Sequence, residues 1–173
     1  MKFFQQKKGF TLIEILIVIS VIAIISVSGI AALSTFQTNQ LMNVTAKDLV
    51  SMLNLAKSRA RTQVKPSDCV SPQKVLDGYE VRLICPSGFN PNCGGPDAGY
   101  EMIIKCGNLT YISTTKLKKI IPTGYSFVAG SAGSLFFPIL KGGVETAGDI
   151  IISNGSGLTK TVSVDASGNI NIE

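Results

Sequence analysis

Gly9-Phe10-Thr11-Leu12-Ile13-Glu14 stands near the start of the chain, and behind it an uncharged run extends from Ile15 to Leu33. As a helix, that run is about long enough to cross a bilayer. Lys2, Lys7 and Lys8 precede it, and lysines beside a membrane segment favour the cytoplasmic side. Glu14 is the one carboxylate at its leading edge, where a charge is costly unless paired. Ser20, Ser26, Ser28 and Gly29 are small enough to let helices approach closely in a membrane. Ser26-Val27-Ser28-Gly29-Ile30 is also poor in strong helix formers. It marks the place where the helix is expected to bend or open on assembly.

Beyond Leu33 the chain turns polar through Ser34, Thr35, Gln37, Thr38, Asn39 and Gln40. A stripe at helical spacing follows: Met42, Ala46, Leu49, Leu53, Ala56 and Ala60. Pro66 cannot continue a helix and disfavours one at Lys65. One helix from Phe10 to about residue 65 is expected, its first half apolar all round and its second half amphipathic. Lys57, Arg59, Arg61 and Lys65 cluster near its end, where cations suit the helix dipole. Their bland reading is a solvated face; the sharper one is a contact for phosphate or DNA.

The rest alternates short apolar stretches with turns. Tyr79–Cys85, Tyr100–Cys106, Leu109–Ser113, Tyr125–Val128, Leu135–Ile139, Asp149–Ser153, Thr161–Asp165 and Ile170–Ile172 read as strands. Pro86 to Gly99 reads as a loop, and Asn154-Gly155-Ser156-Gly157 as a turn. The expected fold class is α+β, a long N-terminal helix packed on a C-terminal antiparallel sheet. The expected segments are a leader at 1–9, a membrane helix at 10–33, its amphipathic continuation at 34–65 and a β-rich head at 66–173.

The four cysteines all lie beyond the apolar run. Their even number in an exported segment implies disulfides, with three pairings open. If 79–85 and 100–106 form a hairpin, about 20 Å of strand separates Cys85 from Cys106, too far for a bond. Cys93–Cys106 is then difficult as well. Cys85–Cys93 inside the loop and Cys69–Cys106 at the open end remain. A zinc site is disfavoured, because no CxxC pair and no histidine is present.

Net charge is +5, three of it from Lys2, Lys7 and Lys8, so overall basicity argues weakly for nucleic-acid binding. Without histidine there is no imidazole acid–base or triad chemistry. Gly94-Gly95 and Gly130-Ser131-Ala132-Gly133 lack the spacing and lysine of a phosphate loop. The carboxylates are scattered. These features point away from an enzyme, with neither cofactor nor metal expected. A secretory signal peptide would instead be cut after the apolar run, near Ser26-Val27-Ser28 or Ile30-Ala31-Ala32. Gly9-Phe10 ahead of the run and Glu14 within it speak against that.

Lys7-Lys8-Gly9-Phe10-Thr11-Leu12-Ile13-Glu14 with its apolar run closely resembles the type IV pilin-like leader, the class III signal of pilins and type II secretion pseudopilins. The resemblance implies a prepilin peptidase that cuts between Gly9 and Phe10 on the cytoplasmic face and methylates the new amine of Phe10. It implies that Gly9 is required for that cut. It also implies that Glu14 pairs with the Phe10 amine of a neighbouring subunit. Partners would be the peptidase, other pilin or pseudopilin subunits, an inner-membrane assembly platform and membrane lipid. The chain would cross the bacterial inner membrane once, N-terminus inside, before entering a pilus or pseudopilus.

A looser likeness covers Asn54-Leu55-Ala56-Lys57-Ser58-Arg59-Ala60-Arg61, Phe136-Phe137-Pro138 with Gly142-Gly143, and the final strands. These resemble minor pseudopilins of the H type and FimT-like minor pilins, from which the Cys-containing loop departs. The function implied is a structural filament subunit with a pilin fold. The alternative is a binding module displayed by the filament for DNA uptake or adhesion, with Lys116, Lys118 and Lys119 as candidate contacts.

Overall fold

The computed structural model describes residues 9–66, 69, 75–86, 92–107, 109–112 and 117–173, with backbone alone at 27–32 and 109–112. Lys2, Lys7, Lys8 and Lys116 lie outside the described residues. The chain divides into two compact units, residues 1–40 and 41–173.

One helix, α1 (Leu12–Arg61, 50 residues), begins in the first unit and ends in the second. It is shorter at both ends than the expected span. At the start, Thr11 is the cap: the Glu14 backbone N–H donates to Thr11 Oγ1 at 3.3 Å. A threonine in this position satisfies one of the free N–H groups of the first turn. Phe10 therefore lies outside the helix. At the other end, Gln63 adopts a left-handed backbone (φ 52°), and the Val64 N–H returns to the Arg59 carbonyl at 3.3 Å. That left-handed turn stops the helix before Pro66 can. The backbone stays helical through 26–30, the segment expected to bend on assembly.

In the second unit the helical stripe is buried. Met42, Ala46, Leu49, Leu53, Ala56 and Ala60 join one hydrophobic core, together with Met52. Among the described residues ten strands follow: β1 (Leu76–Ile84), β2 (Asn92–Gly94), β3 (Gly99–Cys106), β4 (Leu109–Ile112), β5 (Lys118–Ile120), β6 (Tyr125–Val128), β7 (Ser134–Pro138), β8 (Gly148–Asn154), β9 (Thr159–Val164) and β10 (Ile170–Ile172). They form two antiparallel sheets, not the single one expected. The first has the order β4-β3-β1-β7, with β5 also on β3; the second runs β10-β9-β8-β6-β2.

Two strands lie where no strand was expected. β2 sits within 86–99 and pairs with β6, while β5 carries Lys118 and Lys119 and pairs with β3. Each has three residues, too few for alternation to show; their partners are far away in sequence. Gly99 permits the β5 pairing, since a Cβ there would lie 2.1 Å from the Lys119 carbonyl oxygen.

β1 and β3 are neighbours, with Leu76 opposite Cys106 and Ile84 opposite Gly99. The chain between them passes through the other sheet. The disulfide Cys85–Cys93 links the end of β1 to β2, and so clips one sheet to the other. A second disulfide, Cys69–Cys106, ties the segment after α1 to the end of β3.

Alternation divides β1 into two faces. Tyr79, Val81 and Leu83 enter the core with Ile104, Met102 and Tyr100 opposite them. Glu80 and Arg82 take the other face. There Arg82 donates to Glu101 at 2.6 Å and Lys105 to Glu80 at 2.9 Å. Lys105 also stands 4.9 Å over the Phe136 ring. Burial alone would raise the Glu80 pKa. Hydrogen bonds from Ser134 and Lys105, with the charges of Lys105 and Arg82, outweigh it and hold Glu80 below its ordinary value. A second polar anchor is Asn154, a buried residue whose Oδ1 accepts from Ser156 and Leu158 N–H at 3.3 and 2.9 Å.

Two outcomes follow from this architecture. Removing Cys69–Cys106 (separation 37) is expected to cost about 1.4 kcal/mol more stability than removing Cys85–Cys93 (separation 8), by loop-closure entropy. Urea unfolding of the two double-Ser variants measures this. Because folding depresses the Glu80 pKa, its contribution is full above about pH 4.3, the ordinary Glu value, and declines as pH falls through the lower folded value. Glu80→Gln should flatten that acid limb in a pH series of urea midpoints.

Candidate processing and assembly site

Gly9 and Phe10 are exposed, and the bond between them lies ahead of the first helical residue. Among the described residues, nothing lies within 4 Å of where a Gly9 Cβ would stand. Phe10 projects with 80% of its surface exposed.

Glu14 is in the first turn of α1, where a carboxylate is favoured by the free N–H groups and the helix dipole. Its backbone is held by Thr11, and the Ile15 N–H bonds the Thr11 carbonyl at 3.3 Å. Among the described residues, no cation pairs with its carboxylate. Phe10, Glu14, Ile15, Val18 and Ile19 line one open groove of about 240 Å³. The acidic group thus borders an apolar trough rather than a polar one.

Along the helix from Ile15 to Ser26 every side chain is exposed. The serines in this stretch turn inward on their own backbone: Ser20 Oγ donates to the Leu16 carbonyl at 2.8 Å and Ser26 Oγ to the Ile22 carbonyl at 2.7 Å. Their hydroxyls are satisfied without water, which leaves the outer surface apolar. The side chains of Val27 to Ala32, within the expected span Ile15 to Leu33, lie outside the described residues. Among the described residues, no helix is long and apolar enough to cross a membrane.

Of the three candidate contact lysines, Lys118 and Lys119 are described and share β5. Lys119 Nζ pairs with Asp48 at 2.8 Å, both about half exposed; the pair joins β5 to α1. Lys118 is exposed on the same strand. Of the basic cluster near the helix end, Lys57 is committed to the fold, donating to the Gly168 carbonyl at 2.6 Å. The Thr11 cap has a signal in the sequence: Thr-x-x-Glu before an apolar run is the spacing of a capping box.

Residues 5–30 match the prokaryotic N-terminal methylation motif, a type IV prepilin-like signal. No curated protein and no solved structure matches the chain significantly. A prepilin-type motif implies processing by a prepilin peptidase and assembly with other pilin subunits. The α+β architecture, a helix packed on antiparallel sheets, is consistent with a pilin fold.

Proposed function

We propose that the chain is a structural subunit, a minor pilin or pseudopilin, of a type IV pilus or a type II secretion pseudopilus. The observation that carries this reading is the prepilin-type signal over residues 5–30. It coincides with a Gly9–Phe10 bond held outside the helix and a carboxylate in the first helical turn. On this reading residues 1–9 stay cytoplasmic, Ile15 to Leu33 lie in the inner membrane, and the β-rich head is extracytoplasmic.

Hydrolysis of Gly9–Phe10 would leave Phe10 with a free amine two residues before α1. Methylation keeps that amine cationic at neutral pH. Glu14 then has a choice of cations, its own N-terminus or that of a neighbour. Pairing across subunits would join two charges that are otherwise costly in an apolar setting, and would set the axial register between helices. The exposed apolar surface from Ile15 onward would pack against its copies. The absence of histidine, and the scattering of the carboxylates, fit a structural role better than a catalytic one.

Variants separate the steps. Gly9→Leu should leave the leader attached, which intact mass detects. Glu14→Gln should be cleaved and methylated normally, yet its recovery in sheared filaments should fall at least about tenfold, the effect of losing roughly 1.4 kcal/mol per contact. Normal incorporation of Glu14→Gln would contradict the proposed role of the carboxylate.

A further inference from the structure

Asn154 ends β8, and Gly155 opens the turn to β9. Of all the asparagines in the chain, Asn154 alone is followed by glycine. That order of residues carries its own chemistry. The backbone nitrogen after an asparagine can attack the side-chain Cγ, and a glycine there has no side chain to shield it. The bond from Gly155 N to Asn154 Cγ forms and the Cγ–Nδ2 bond breaks. The amide leaves as ammonia, taking the proton of the Gly155 nitrogen. Water then opens the cyclic imide at either carbonyl, giving aspartate or isoaspartate.

In the folded chain each reacting group is held. Asn154 is 7% exposed. Its Oδ1 accepts from the Ser156 and Leu158 N–H groups at 3.3 and 2.9 Å, which fixes the orientation of the amide. The Asn154 N–H donates to the Leu158 carbonyl at 3.0 Å, and the Gly157 N–H to the Asn154 carbonyl at 3.1 Å. The attacking group is tied as well: the Gly155 N–H donates to the Gly124 carbonyl at 3.1 Å, just before β6. Attack needs that bond broken and the amide turned. Residues 155–158 are themselves exposed, so water reaches the site as soon as the turn opens.

We propose that Asn154–Gly155 is a deamidation site kept closed by its own turn, and that it converts to aspartate or isoaspartate when the turn opens. The inference is independent of filament assembly. The change runs one way. Isoaspartate adds a carbon to the backbone where β8 ends, against the register that sets Ser153 opposite Thr159. Aspartate keeps an acceptor for Ser156 and Leu158 but brings a charge into a buried place. A chain that has once opened and reacted therefore reforms the β8–β9 hairpin less well, and carries a covalent record of the opening.

The test holds the full chain in neutral detergent at mildly alkaline pH, folded in buffer and unfolded in guanidinium chloride. Intact mass follows the exchange of amide for acid, and peptide mapping locates it and separates isoaspartate. A turn open for about a tenth of the time or less gives a folded rate at least about tenfold below the unfolded one, since reaction tracks the open population. A Cβ at residue 155 has nothing within 4 Å among the described residues, so Gly155→Ala should fold. Its methyl group shields the nitrogen, and the unfolded rate at Asn154 should drop several-fold. Gly157 has a φ of 87°, so Gly157→Ala strains the turn and should raise the folded rate several-fold while leaving the unfolded rate unchanged. If Gly157→Ala fails to fold, Gly155→Ala and the comparison of folded with unfolded chain still decide. Equal folded and unfolded rates would overturn the proposal. So would a mass gain that maps to another asparagine, an unfolded rate unchanged in Gly155→Ala, or a folded Gly157→Ala no faster than its parent.

Discussion

A carboxylate at the mouth of an apolar trough is costly unless it meets a cation, and Glu14 in the first turn of α1 is in that position. Glu14 borders a groove whose other lining residues are Phe10, Ile15, Val18 and Ile19. The helix dipole favours the charge at this end but cannot neutralise it. The turn is held by Thr11, whose side chain and carbonyl both accept from the first turn. Phe10 is left outside the helix and exposed, one residue from the cap. Cleavage before Phe10 would create the missing cation in the right neighbourhood.

The head is organised by a different constraint, that of joining two sheets within a small domain. A modest core supplies limited stability. Here the amphipathic part of α1 contributes a continuous buried stripe from Met42 to Ala60. The excursion between β1 and β3 crosses to the second sheet and is fastened by Cys85–Cys93. Cys69–Cys106 anchors the chain leaving the helix. Polar side chains finish the job locally: Asn154 closes the β8–β9 turn, and Lys57 holds the 166–168 loop on the helix.

What could be read from the residues depended on how far the deciding partner lay. The stripe Met42, Ala46, Leu49, Leu53, Ala56 and Ala60 was legible because a helix writes its buried face at steps of three and four. Strands of four or more residues were legible from apolar content and flanking turns. β2 and β5 were not: each exists through pairing with a strand that is not its neighbour in sequence, β6 and β3, whereas the equally short β10 pairs with β9 just before it. The division into two sheets was hidden for the same reason. The helix end was misplaced because Pro66 is a strong signal, whereas Gln63 in a left-handed turn is a weak one. At the candidate site, Gly9, Phe10 and Glu14 stood out by type and order, but the cap by Thr11 requires weighing a side chain against its own backbone. The Asp48–Lys119 pair spans 71 residues, beyond the reach of any local pattern.

The central claim is that the apolar N-terminal helix is retained as an assembly element after trimming at its inner tip. Intact mass and N-terminal sequencing of the chain recovered from envelopes test it most directly. The account predicts a mature chain that begins at Phe10, heavier by one methylene than cleavage alone would leave it, and still carrying Ile15 to Leu33. A mature chain that begins after the apolar run, near Ala32 or Leu33, and is released from the membrane would contradict it.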